Sequence, residues 1–415
     1  MNYQESLDWI HSKLKFGIKP GLKRIEWLLE QLSNPQDKIK GVHIVGTNGK
    51  GSTVANLQHI LTASGYKVGS FTSPYIVDFR ERISVDGQMI SEEALMNLVQ
   101  RIYPIVERLS EETGLDPATE FEIITAMMFL YFAEVEPVDI VLVEAGLGGR
   151  LDSTNVFQPL VVVCPSIGLD HQNILGNSYV EIAQEKAAVI KDGTPFVFVT
   201  ERQDVRQVFL EKCQETNSQP YQLYRDFELN GQTYQENGQL QLENVHLGLP
   251  GHHQVENAAL AIRVSRILQE KGYEKISPET IKQGLAASRW VGRTELMREN
   301  LMIDGAHNNE SIHALCDLLQ QQYADKEVKI LFAAIDTKPT EQMIEQLAQV
   351  GQVTVTSFDY PNAVVLEQYP PQVEQVEDFC LWLDQSENLA EHQFAVVTGS
   401  LYFISQVRAY LTAKK

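Results

Sequence analysis

The segment Gly46-Thr47-Asn48-Gly49-Lys50-Gly51-Ser52-Thr53 combines glycines, a lysine and hydroxyls, the residue types that handle phosphate. Glycines let backbone N–H groups approach phosphate oxygens, and the N-terminus of a following helix adds a field favourable to an anion. Lys50 supplies a point charge, and the Ser52 hydroxyl is placed to reach Mg²⁺. The strict phosphate-loop pattern is not met, because Ile44 stands where a glycine is expected and Gly51 separates Lys50 from the hydroxyl. On these residues alone, a phosphate loop and an ordinary glycine-rich turn between strand and helix both remain open.

A second group lies in Leu142-Val143-Glu144-Ala145-Gly146-Leu147-Gly148-Gly149-Arg150-Leu151-Asp152-Ser153-Thr154-Asn155. It puts a carboxylate at the end of an apolar strand, just before a glycine-rich turn. In open parallel sheets that edge holds ligands. A buried glutamate there needs a cation, which Mg²⁺ on ATP would provide; otherwise Glu144 caps its own loop. Lys186 poses a similar question. In a helix expected over 179–190, Ile182, Lys186 and Ile190 recur every four residues, so Lys186 sits on the apolar face. An ammonium buried there needs a partner or a chemical modification, unless the chain snorkels to the surface.

These residues require elements that bring them together. Val42 to Val45 reads as a buried strand ahead of a glycine loop and a helix through about Ser64. Further strands are expected at Val68 to Phe71, Asp139 to Val143, Leu160 to Cys164 and Phe196 to Val199, with helices between most of them. Asn230-Gly231 and Asn237-Gly238 punctuate alternating segments that read as antiparallel hairpins. Helices follow at about His253 to Lys271 and Pro278 to Ala287. The α/β rhythm then restarts at Leu301 to Ile303, Lys329 to Phe332, Val353 to Val355 and Phe394 to Val397. The expected fold is two α/β domains, 1–294 and 295–415, the boundary falling in Trp290 to Leu296.

The composition sets bounds. A chain of 415 residues with 34 Lys and Arg against 55 Asp and Glu carries a net charge of −21. Such acidity opposes a broad basic face for nucleic acid or anionic lipid. It leaves room for anionic small molecules in a locally positive pocket. The longest apolar run, Ala126 to Ala133, is well short of the roughly 18 residues that suggest a membrane span. The polar start Met1-Asn2-Tyr3-Gln4-Glu5-Ser6 reads as no secretion signal. Cys164, Cys213, Cys316 and Cys380 form no metal or disulfide pattern and read as reduced core thiols, so a cytoplasmic protein is expected.

The two glycine-rich segments together resemble the folylpolyglutamate synthase/dihydrofolate synthase family, relatives of the Mur ligases. The resemblance runs along essentially the whole chain, from Gly21-Leu22-Lys23-Arg24-Ile25 and Asn34-Pro35-Gln36 to Thr398-Gly399-Ser400-Leu401-Tyr402. Gly51, which spoils the strict phosphate-loop pattern, is what this family carries. The resemblance implies a large, mostly parallel P-loop-type sheet domain with a small antiparallel β extension, and a smaller C-terminal Rossmann-like α/β domain. It further implies ATP and two Mg²⁺ sites, without flavin or nicotinamide, and a monomer.

Residue by residue, the resemblance puts Thr47, Asn48, Gly49, Lys50, Gly51, Ser52 and Thr53 on ATP. Ser52, Ser73 (in Thr72-Ser73-Pro74-Tyr75), Glu144 and His171 (in Asp170-His171-Gln172) hold metal. Lys186 matches a lysine carbamylated in the family, although Ala188 departs from the usual glycine. Asn257 contacts nucleotide. Arg293 reaches ATP across a cleft, and Asp304 in Ile303-Asp304-Gly305-Ala306-His307-Asn308 is associated with nucleotide. His307 and Ser400 lie on the glutamate side, and Asp152 joins the substrate-binding set. The adjacent His252-His253 pair points to no metal. For a pterin, Phe79 offers an aromatic face to stack and Arg82 a grip on a carboxylate. Asp336-Thr337-Lys338-Pro339 replaces an Asp-Lys-Asp-like family segment.

The implied reaction is ATP-dependent amide synthesis. A folate or dihydropteroate carboxylate is phosphorylated, and the amine of L-glutamate displaces phosphate, with Lys50, Glu144, His171, carbamylated Lys186 and His307 as the catalytic set. Closure of two domains would exclude water from the acyl phosphate. The segments around the N-terminus and Ser73 look closest to folylpolyglutamate synthases. A Mur-type ligase is the runner-up, without a nucleotide-sugar signature in its support. A catalytically silent binding protein would be expected to lack Lys50, Glu144 or His171, and all three are present.

Overall fold

Runs of β-branched residues hidden on both faces build the centre of a mostly parallel sheet. In the computed structural model, which describes residues 1–13, 17 and 19–414, this sheet has eight strands: β1 (Gly41–Ile44), β2 (Val68–Phe71), β3 (Ile83–Val85), β4 (Gln88–Met89), β5 (Ile140–Glu144), β6 (Val161–Cys164), β7 (Phe196–Phe198) and β8 (Pro220–Gln222). Their order is β4-β3-β2-β5-β1-β6-β7-β8. β2, β5, β1, β6, β7 and β8 run parallel, while β3 and β4 are added antiparallel at one edge. Register pairs Phe71 with Val143, and Ile44 with both Glu144 and Val163. The C-terminal ends of β2, β5, β1 and β6 therefore form one continuous edge.

Hydrophobic cores grip this sheet. One gathers Leu98, Ile102, Met127 and Phe129 of the helices Glu92–Thr113 and Glu120–Leu130 with Phe71, Val141 and Val143. Another sets Ala183 and Ala187 of the helix Tyr179–Ala187 and Phe209 against Val162, Cys164, Phe196 and Phe198. Each fully buried large side chain stabilises the fold by about 1.5–3 kcal/mol. The helix at Tyr179 ends at Ala187, three residues short of the expected end, and continues as a turn in which the Ile190 N–H donates to the Ala187 carbonyl.

The hairpin segments form a separate antiparallel sheet of β9 (Phe227–Asn230), β10 (Thr233–Glu236) and β11 (Gln239–Leu242). Asn237 and Gly238 both have positive φ, 48° and 72°, as a type I′ turn demands. The helices His252–Glu270 and Pro278–Ala287 follow.

A six-stranded sheet contains β12 (Glu295–Arg298), β13 (Leu301–Ile303), β14 (Glu327–Phe332), β15 (Gln352–Val355), β16 (Glu374–Gln375) and β17 (Gln393–Thr398), in the order β12-β13-β17-β14-β15-β16. Only β12 is antiparallel to its neighbour. Short, half-exposed β12 was not among the expected strands. By packing, the chain divides into one unit of 1–75, 79–247 and 256–288, and a second of 76–78, 248–255 and 289–415. Cys164, Cys213 and Cys316 are buried and Cys380 partly so, all as free thiols. No helix among the described residues is long and apolar enough to cross a membrane.

Candidate active site

In the first unit the glycine loop leaves β1 and enters the helix Lys50–Ala63. Gly49 has φ 84°, and a Cβ there would stand 2.5 Å from Asn257 Oδ1 and 3.0 Å from Pro165 Cβ. Only glycine fits, so Asn257 backs the loop directly. The loop is also stitched to the segment after β6. Thr47 N–H donates to the Ser166 carbonyl at 3.0 Å, and Asn48 N–H to Ser166 Oγ at 2.8 Å. The Thr47 hydroxyl pairs with the Gly168 backbone. Lys50 Nζ folds over its own loop, donating to the carbonyls of Gly46 at 3.0 Å and Thr47 at 3.2 Å. Gly51 lies in the first turn of the helix. Ser52 is buried, and the Thr53 hydroxyl is spent on the Gly49 carbonyl.

Glu144 ends β5 beside this loop and is 5 % exposed. Its Oε2 accepts from the Ser73 N–H at 3.3 Å, so the segment after β2 meets the end of β5. His171 follows β6 in a left-handed conformation, φ 51°, with its side chain 46 % exposed. Among the described residues no three His, Cys, Asp or Glu side chains converge as a metal cluster. The expected set of Ser52, Ser73, Glu144 and His171 instead offers two hydroxyls, one carboxylate and one imidazole; its three oxygen donors suit Mg²⁺, and the imidazole nitrogen is the least typical ligand for that ion.

Lys186 is 3 % exposed, and its side-chain ammonium makes no hydrogen bond or ion pair among the described residues. Burial, reinforced by the charge of Lys50, pushes its pKa down to about 7. Asp152 is buried too, and burial raises its pKa although loop hydrogen bonds oppose the rise. Its Oδ2 accepts from the Leu147 N–H at 2.7 Å and its Oδ1 from the Thr154 N–H at 3.0 Å. Its oxygens thus organise the loop after Glu144.

Phe79 requires a correction. It is 5 % exposed in the core, with His11 and Tyr75 edge-on to its ring and the Arg82 guanidinium 5.4 Å from its centroid. Its ring is not presented for stacking on a pterin. Arg82 Nη2 pairs with Glu120 Oε1 at 3.3 Å.

In the second unit, Asp304 follows β13. Its carboxylate accepts from the Thr294 N–H at 2.8 Å and the Ala306 N–H at 2.9 Å. The Gly305 N–H donates to the Gly292 carbonyl at 2.8 Å, so the turn carrying Arg293 is tied to the loop carrying His307. Near Asp304 and Arg293, burial lowers the pKa of His253. His307 Nδ1 lies 2.8 Å from the Gly305 carbonyl, and its N–H donates to Ser311 Oγ at 3.0 Å. Asn308 caps the helix Asn309–Gln322. Buried Ser400 precedes the helix Leu401–Ala413 without a side-chain cap hydrogen bond. The Gly399 N–H donates to the Ala306 carbonyl at 3.0 Å, joining the Ser400 and His307 segments at one sheet edge.

His43, absent from the expected site, is a further polar residue of this region. Its one signal in the sequence is an imidazole between apolar neighbours in a buried strand.

No family model matches the chain. Dihydrofolate synthase/folylpolyglutamate synthase of Bacillus subtilis is 40 % identical over 429 residues, covering 99 % of this chain and 99 % of the relative. The apo form of the Lacticaseibacillus casei enzyme FPGS superposes with a TM-score of 0.86 at 34 % identity, covering 99 % of this chain and 100 % of that one. An FPGS–AMPPCP–folate complex gives a TM-score of 0.85 at 33 % identity over 99 % of this chain and 100 % of that one. With glycine loop, acidic strand end and overall fold agreeing, the chain belongs to the folylpolyglutamate synthase/dihydrofolate synthase family.

Proposed function

We propose that this chain is an ATP-dependent ligase that joins L-glutamate to the carboxylate of a folate. The observation carrying the reading is the adjacency of β2, β5, β1 and β6, whose C-terminal ends bear Ser73, Glu144, the Lys50 loop and the His171 segment. Parallel sheets bind ligands at such an edge.

Lys50 releases its two loop carbonyls to meet the phosphates of ATP, joined by the amides at the start of its helix. The acceptor carboxylate attacks the γ-phosphorus, giving an acyl phosphate and ADP. The amine of L-glutamate then attacks the acyl carbon, an amide forms, and inorganic phosphate leaves with the C–O bond electrons. Ser52, Ser73, Glu144 and His171 are the residues that would hold Mg²⁺. The ion, when bound, neutralises phosphate charge. Lys186, poised near neutrality, gives a free amine able to take up CO₂ as a carbamate, turning a buried cation into an anion beside this edge. We assign Asn257, Arg293 and Asp304 to the nucleotide, and His307 and Ser400 to glutamate, with Arg82 on the acceptor. Asp152 serves by shaping its loop. Catalysis rests on positioning and charge neutralisation.

A second acceptor, dihydropteroate, is favoured by the double name of the Bacillus subtilis relative. We further propose a cytoplasmic monomer acting on small molecules, with no nucleic-acid or membrane partner. Sustained ADP release by the purified protein should require a folate-type acceptor and L-glutamate together. ATP turnover indifferent to both would overturn the reading.

A further inference from the structure

His43 occupies the middle of β1, 1 % exposed, between Val42 and Ile44, with its ring 5.3 Å from that of Phe157. An imidazole is costly there unless its polar atoms are used. Its Nε2 lies 2.8 Å from Thr154 Oγ1. The Thr154 hydroxyl has a single hydrogen, and that hydrogen goes to Asp152 Oδ1. The imidazole must then be the donor to Thr154, which assigns the neutral tautomer protonated at Nε2. Burial, with the charge of Lys191 as a lesser cause, holds the ring neutral by pushing its pKa down to about 3.

The path continues past Asp152, which receives the Leu147 and Thr154 amides. Leu147 lies three positions beyond Glu144. At the far end of the same loop, Lys191 Nζ donates to the Phe157 carbonyl at 2.6 Å. Between these anchors the loop rests on the helix bearing Lys186, with the Arg150 N–H donating to the Glu185 carbonyl at 2.8 Å. A hydrogen-bonded path therefore runs from the centre of β1 to the loop that sets both Glu144 and the Lys186 turn.

We propose that His43 is a positioning residue for the ligation, holding the loop after Glu144 through Thr154 and Asp152. This rests on the reading of Glu144 as part of the ATP–metal site. His43 itself touches neither substrate nor nucleotide. A purely apolar side chain would fill the same space without directing the hydroxyl of Thr154 onto Asp152.

Four forms test this: wild type, His43→Ala, His43→Gln, whose amide nitrogen stands near the place of Nε2, and Thr154→Val, which breaks the path while leaving the residues of β1 unchanged. Hydrogen exchange of the 144–157 segment, read without ATP or metal, should be at least about tenfold faster in His43→Ala and Thr154→Val, and close to wild type in His43→Gln. Ligation kcat should fall by about 10–100-fold in the first two, as for other residues that orient a metal-bearing side chain. The KM for ATP should stay within about twofold, and His43→Gln should recover most of kcat. If His43→Ala does not fold, Thr154→Val and His43→Gln carry the same comparison. Wild-type exchange and kcat in Thr154→Val, or a glutamine variant no better than alanine, would overturn the proposal. Should the wild type perform no ligation, the exchange comparison still decides on the path while the functional reading alone fails.

Discussion

Gly149 lies against Lys186: a Cβ on the glycine would stand 3.0 Å from the lysine Cα and 2.7 Å from the Glu185 carbonyl oxygen. The loop that follows Glu144 is thereby seated on the turn that carries the buried lysine. Two residues far apart in function, a carboxylate and an amine, share one support.

Gly149→Ala should therefore harm both. The clash is with backbone, which has no rotamer to retreat into, so overpacking should cost about 1–3 kcal/mol in urea unfolding. An unchanged midpoint and unchanged activity would contradict the close seating.

The buried amine of Lys186 makes stability depend on pH. Its pKa is about 7 in the fold against an ordinary 10.5. Below the lower value both folded and unfolded chains carry the proton, and the fold bears the burial penalty. Between the two values the unfolded chain holds more protons, so stability rises with pH. In CO₂-free buffer, wild type should gain stability relative to Lys186→Met between about pH 7 and 10.5. Parallel profiles would show that the ammonium is not penalised in the fold.

Carbamylation of Lys186 has a chemical test. Lys186→Ala should lose ligase activity, and short carboxylates such as formate or acetate should restore part of it by replacing the missing anion. Steady-state rates measured over a range of added carboxylate read this directly. No restoration, together with retained activity in the alanine variant, would remove the lysine from the catalytic set.

Arg24, from the family-like segment near the N-terminus, has a structural role. Its Nε donates to both Glu122 oxygens, at 2.9 and 3.1 Å, in a buried pair, and Glu122 also accepts from the Thr119 N–H at 2.8 Å. Arg24→Met leaves that carboxylate buried without its cation and should cost about 3–5 kcal/mol. Chemical denaturation of the purified variant gives the comparison, and a loss below about 1 kcal/mol would contradict it.

Much of this was legible in the chain itself. β1, β2, β5, β6 and β7 were readable because strands buried on both faces are continuous apolar runs. The Gly46–Thr53 and Glu144 segments stand out in the sequence as glycine-rich turns after apolar strands, and they leave the adjoining ends of β1 and β5. Phe79 misled because Asp78-Phe79-Arg80-Glu81-Arg82 looks exposed, whereas a 3-10 turn over Phe79–Arg82 rolls the ring into the core. The oxygens of Asp152 serve nearby amides that only the folded loop brings to them. His43 and Thr154 are 111 positions apart, and no local pattern links them. Strands β3, β4, β8, β12 and β16 are two to four residues long and are held by their neighbours more than by their own sequence.

The central claim is glutamate ligation driven by the Lys50 loop. Its most direct measurement offers purified wild type and Lys50→Ala the substrates ATP, Mg²⁺, L-glutamate and either tetrahydrofolate or dihydropteroate, and identifies products by mass. Wild type should yield the acceptor lengthened by one glutamyl residue with ADP and phosphate in equal amount, and Lys50→Ala should be slower by at least about 10²–10³-fold while remaining folded. Absence of any glutamylated product from folded wild type, or undiminished product from Lys50→Ala, would contradict it.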